Sequence, residues 1–201
     1  MSWIKTISYQ NATGKLKALY DRIKGPNDYL DNILKVHSLR PHTLEGHMKL
    51  YKNVLHHLDN QLPKWLLEAI GVYVSLLNSC EYCVQHHFQG MRKLLNNDTR
   101  SNVIFTALKQ EDPASAFHDK ELAIFNYAAK LTKSPNSVSE NDVKDLRESG
   151  FSDEEILEIN QVVSYFAYAN RTVLGLGVNT DGDIIGLSPS DSDNPNNWQH
   201  K

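Results

Sequence analysis

The chain has 201 residues, enough for one sizeable core, and its 21 Lys+Arg against 24 Asp+Glu leave a formal net charge of -3 and a pI near 6.3. No basic excess is available to neutralise nucleic-acid phosphates or anionic lipid, so neither nucleic acid nor membrane is expected as a partner. No apolar run approaches the roughly 20 residues that span a bilayer, and the opening MSWIKTISYQNATGKL lacks an apolar leader core, so the expectation is a soluble, unexported, cytoplasmic protein.

Apolar residues recur at three- and four-residue spacing, and runs alternating with period two are scarce, which predicts an all-α fold. Gly25-Pro26, Pro41, Pro63, Pro113, Pro135 and Gly150 cut the chain into segments of helical length. The expected helices run near 13–24, 28–37, 41–58, 63–78, 80–96, 99–109, 117–132, 139–148 and 152–174. Ser139, followed by Glu140 and Asp142, and the run Ser152-Asp-Glu-Glu155 carry capping signals that place two of these starts. Residues 117–174 loosely repeat the plan of 48–96, which suggests two related halves. The expected organisation is a single helical domain over 1–178, its cysteine-bearing core at about 45–100, followed by a polar tail over 179–201. That tail is rich in Gly, Pro, Ser, Asn and Asp and is expected to be mobile or held by a neighbouring subunit, with Trp198 its one plausible anchor.

The chemistry-bearing stretch runs from Glu68 through Cys80-Glu-Tyr-Cys83 to His86-His87. Asn78 and Ser79 are natural N-cap residues, so Cys80 is expected to open a helix with Cys83 one turn later on the same side. The two Cβ atoms would then lie about 5–6 Å apart, near enough for a disulfide to open and close with a modest rotation. His87, four residues after Cys83, falls on that face, and a base beside a thiol raises the thiolate fraction; Glu81 would oppose the effect. Glu68 lies near the apolar face formed by Leu67, Ile70, Val74 and Leu77, where a carboxylate needs a partner, and His87 is the candidate. Only two cysteines occur, three positions apart, which does not resemble a secreted disulfide framework.

The same residues have blander readings. The pair could be half of a zinc site with His86 or His87 as further ligands, or two small apolar core residues. His37, His42, His47, His56, His57, His118 and His200 read as surface or packing residues, Tyr165, Phe166 and Tyr168 as core or subunit interface, and Asn170-Arg171 as a buried structural contact.

Glu68, Cys80, Cys83 and His87 match in every gap the pattern of the AhpD-like proteins of the carboxymuconolactone decarboxylase superfamily, and the wording around the cysteines resembles its peroxidase-related branch. Residues 169–178 are similar to that branch's last helix. The resemblance implies an all-helical fold of about eight to nine helices and a thiol peroxidase. In it a Glu68–His87 proton relay would deprotonate Cys83 for attack on an organic hydroperoxide, with Cys80 as the resolving thiol. It implies a dithiol electron donor, a homo-oligomer (dimer, trimer or hexamer), and neither metal nor cofactor. One position departs from the pattern: the residue before the second cysteine, a histidine in AhpD proteins, is Tyr82 here. The rival readings are a decarboxylase-like lyase of the same superfamily and a non-enzymatic redox-sensing or metal-binding oligomer.

Overall fold

The computed structural model describes residues 2–189, 194 and 196–201. Nine α-helices occur among them: α1 (Gly14–Ile23), α2 (Asn32–Lys35), α3 (Pro41–Leu55), α4 (Lys64–Leu77), α5 (Glu81–Leu95), α6 (Asp98–Lys109), α7 (Asp119–Lys133), α8 (Glu140–Glu148) and α9 (Asp153–Gly175). Among the described residues there is no β-strand, only an isolated bridge between Pro189 and His200, and no helix long and apolar enough to cross a membrane.

α4 is the axis of the molecule. Its residues from Leu66 to Ser75 are all buried, as befits a helix apolar around most of its circumference, and α3, α5, α6, α7 and α9 all pack on it. α9 approaches closely because position 71 is glycine: an added Cβ there would fall 2.2 Å from the Phe166 ring. The expected helix starts at Ser139 and Ser152 are present as capping boxes closed by Asp142 and Glu155.

Three local differences from the sequence reading matter. The helix expected over 28–37 shrinks to α2 because Asn27 and Asp28 take positive φ values of 55° and 62°, outside the right-handed helical region. Cys80 does not open α5; it occupies the N-cap itself (φ -95°, ψ 81°), because Ser79 turns left-handed at φ 56° between α4 and α5. The segment after Val178 was expected to be mobile or held by a neighbour, whereas its described residues fold back over their own chain. Trp198 is fully buried with the Arg22 guanidinium 3.9 Å over its ring, the His200 amide donates to the Ile23 carbonyl (3.1 Å), and the Ile184 amide donates to Tyr29 Oη (2.6 Å). One large aromatic side chain supplies the apolar burial that the rest of the segment lacks, and backbone groups of the α1–α2 region satisfy its polar atoms.

Candidate active site

α4 and α5 form the walls of the site. Glu68 is on the inner face of α4 and only 4 % exposed. Its Oε2 lies 2.6 Å from His87 Nδ1 on α5, a short charge-assisted contact that orients the imidazole. Phe166 packs edge-on against the same ring at 4.5 Å and Tyr51 at 6.2 Å, so the ring is clamped as well as hydrogen-bonded. Gly90, one turn further along α5, leaves room for the Glu68 carboxyl: a Cβ there would lie 3.1 Å from its Cδ.

Glu68, Cys83 and His87 line a common cavity of ≈ 40 Å3. Cys80 does not line it; it is fully buried behind Cys83. Both cysteines are free thiols. The Cys80 side chain makes no well-formed capping hydrogen bond, yet polar hydrogens gather around its sulfur. Its thiol is held below the ordinary range, most of all by the Cys83 thiol, with burial opposing; the Cys83 amide and Asn170 favour the thiolate and Glu81 disfavours it. The Cys83 thiol is pushed well above the ordinary range, first because it donates to Cys80 and then because it is buried. Of the two thiols, Cys80 is therefore the easier to ionise, and a second charge on the pair is disfavoured.

Asn170 does more than make the structural contact expected from its sequence. It is fully buried on α9, donates to Ser75 Oγ (3.0 Å), accepts from Asn78 Nδ2 (3.0 Å), and favours the thiolate form of both cysteines. Its sequence signal was its place as a polar residue in an apolar helix face. Tyr82 points away from the thiols: its hydroxyl donates to Asp183 Oδ2 (2.8 Å) and accepts from the Ile33 amide (3.2 Å).

His86 does not join the thiols in a metal site; its Nε2 lies 3.6 Å from Asp183 Oδ2. Among the histidines read as surface or packing groups, His37, His47, His56 and His200 are all buried, and His47 and His200 line the cavity. The roof of the cavity is the C-terminal segment, through Gly186, Leu187, Ser188 and His200. An outer cavity of ≈ 220 Å3 shares Glu68, Gly90, Gly186 and Ser188 with the inner one.

No protein-family model matches the chain. No curated protein matches it either. Solved structures do. An uncharacterized peroxidase-related protein from Silicibacter sp. TM1040 is 25% identical over 75% of this chain and 78% of its own, with a TM-score of 0.66. The alkylhydroperoxidase AhpD core protein, peroxidase-related, from Ralstonia eutropha JMP134 is 21% identical, covers 92% of this chain and 96% of its own, and reaches a TM-score of 0.74. A cysteine-to-alanine form of the debrominase Bmp8, in complex with 2,3,4-tribromopyrrole, is 16% identical over 89% of this chain and 93% of its own, with a TM-score of 0.66. The class is that of all-α proteins built on the AhpD core. The likeness to the peroxidase-related proteins is one of fold, over most of both chains.

Proposed function

We propose that the protein is a thiol peroxidase in which Cys83 attacks the terminal oxygen of a hydroperoxide and Cys80 resolves the product. The observation that carries this reading is the cavity that Cys83 shares with an imidazole held at 2.6 Å by a buried carboxylate.

His87, oriented by Glu68, takes the proton that leaves the dithiol. The remaining proton moves from Cys83 to Cys80, which brings the charge to the sulfur that faces the cavity. Cys83 thiolate breaks the O–O bond, forming Cys83–SOH and an alkoxide, and Cys80–SH protonates the alkoxide to the alcohol. Cys80 thiolate then displaces hydroxide from the sulfenic acid, closing the disulfide, and the imidazolium of His87 protonates the hydroxide to water. Two thiols and ROOH thus become a disulfide, ROH and water. A nearby resolving thiol forestalls irreversible oxidation, and an external dithiol reopens the disulfide.

At roughly 10–15 Å3 per water, the inner cavity has room for about three or four waters. It fits the two oxygens of a hydroperoxide head, while the organic part extends into the outer cavity. The likeness to Bmp8 raises a second reading, since a dithiol also carries the two electrons needed to replace carbon–bromine by carbon–hydrogen. The hydroperoxide reading is preferred because the dithiol and the Glu68–His87 pair supply every proton that its chemistry needs.

The test is free thiol and intact mass before and after one equivalent of tert-butyl hydroperoxide. Wild type is expected to lose both thiols, Cys80→Ser to hold a sulfenic acid at Cys83, and Cys83→Ser to stay unreacted. Unreactive wild type, or a sulfenic acid trapped on Cys80, overturns the assignment. Bromide release from 2,3,4-tribromopyrrole by a protein inert to peroxide would replace it with dehalogenation.

A further inference from the structure

Beyond the thiols, three buried ligand groups from distant parts of the chain converge. Asp31 stands just before α2, His86 lies on α5 and Asp183 belongs to the C-terminal segment; one ligand atom from each lies within 4.8 Å of the others. We propose that Asp31, His86 and Asp183 bind one divalent first-row transition cation.

An independent observation supports a ligand there. His86 is 8 % exposed, and its Nε2 is shielded from solvent with no hydrogen-bond partner. The nearest carboxylate oxygen, Asp183 Oδ2, is 3.6 Å away, beyond a hydrogen bond. Ligand atoms sharing a tetrahedral ion at bonds of about 2.0–2.1 Å stand about 3.3–3.4 Å apart, so the 3.6 Å pair needs only a small closure to hold one ion.

The surroundings match what metal ligands need behind them. Asp183 is held by the Asn32 amide at 3.1 and 3.2 Å and by the Tyr82 hydroxyl at 2.8 Å, while Asp31 Oδ1 accepts from Tyr29 Oη at 2.9 Å. Tyr82 also packs over the His86 ring at 4.6 Å. His200 Nδ1 lies 3.0 Å from the Ile23 and Trp198 carbonyls, which fixes its hydrogen on that side and turns Nε2 toward Asp31 Oδ2 at 3.9 Å. A lone pair facing a carboxylate is a repulsive arrangement that a cation between or beside them relieves. Among the described residues, the basic groups within ion-pair range of the two carboxylates are these imidazoles. Imidazole with carboxylates suits Zn2+, Mn2+ or Fe2+, and the set contains no soft ligand that would select Cu+.

Asp31 and His86 border the same cavity as Cys83, so the experiment must separate the two. Full-length Cys80→Ser/Cys83→Ser protein is titrated with Mn2+ and with Zn2+ under calorimetry. One equivalent should bind, with affinity reduced at least tenfold in Asp183→Asn and in His86→Gln on the same background, each variant's fold being checked by circular dichroism. X-ray absorption of wild type loaded with one equivalent of Zn2+ needs no variant. A nitrogen/oxygen shell near 2.0–2.1 Å without sulfur near 2.3 Å is expected. Failure of the thiol-free protein to bind either ion, binding indifferent to Asp183→Asn, or a sulfur shell in the spectrum would each overturn the proposal.

Discussion

A carboxylate withdrawn from water needs a partner, and Glu68 has His87. Since Glu68 touches the imidazole and no sulfur contact is assigned to it, its role is positioning: it fixes the ring's tautomer and steadies the imidazolium formed when the thiol pair ionises. A charge-assisted hydrogen bond contributes about 1.5–3 kcal/mol, which corresponds to roughly 10–100-fold in rate if the bond strengthens as the proton moves. Glu68→Gln is therefore expected to slow oxidation of the thiol pair by that factor, and His87→Gln by about 100-fold or more. The double variant should be no slower than His87→Gln, because Glu68 has nothing to act on once the imidazole is gone. Rates that multiply independently in the double variant would remove Glu68 from the relay and leave it a packing group.

At the scale of elements, the C-terminal segment is a strap whose hold is Trp198. Replacing a fully buried aromatic with alanine costs about 3–5 kcal/mol, and here the loss falls on one segment without a core of its own. Trp198→Ala should leave the helical circular dichroism unchanged while raising the rate at which iodoacetamide alkylates Cys83, since Gly186, Leu187, Ser188 and His200 roof its cavity. An alkylation rate equal to wild type would mean that reagents reach the thiols by another route. The strap also marks the boundary of what the amino-acid sequence revealed. The helix starts at Ser139 and Ser152 and the Glu68–His87 pairing were legible because capping and helical spacing are local or follow one motif. The order of the strap was not, because it depends on Trp198 finding Arg22 and on Asp183 finding Asn32, 151 residues away. His86 was misplaced for the same reason: its carboxylate neighbours come from the α1–α2 connection and the strap, and no local spacing links them. Cys80 slipped from first helical residue to N-cap because the left-handed turn fell on Ser79, a residue type with no strong demand for that conformation.

For the molecule as a whole, the interior is unusually rich in imidazole, and that sets its response to acid. His47 is buried between α3 and α9, with His37 at 5.1 Å and Tyr165 at 6.0 Å between ring centroids, and its Nδ1 has no hydrogen-bond partner. Burial first, and then the neighbouring His37 and His200, lower its pKa to about 3. A depressed histidine pKa means that the folded state keeps the ring neutral while the unfolded chain takes up a proton near pH 6.5. His47 therefore leaves stability intact above about pH 6.5 and costs about 1.4 kcal/mol per pH unit below it, until the pH nears 3. Between pH 6.5 and 5 that amounts to about 2 kcal/mol, or roughly 4–8 °C in melting temperature for a chain of this size. His47→Phe keeps a flat ring in the aromatic cluster and removes the proton site. Melting curves from pH 7 to 5 should thus fall less steeply for the variant than for wild type, by one proton's worth of slope. The difference between the two proteins isolates His47 from carboxylates that titrate in the same window. Parallel curves would mean that His47 can take up its proton without leaving the fold, through a route for water into the α3–α9 interface.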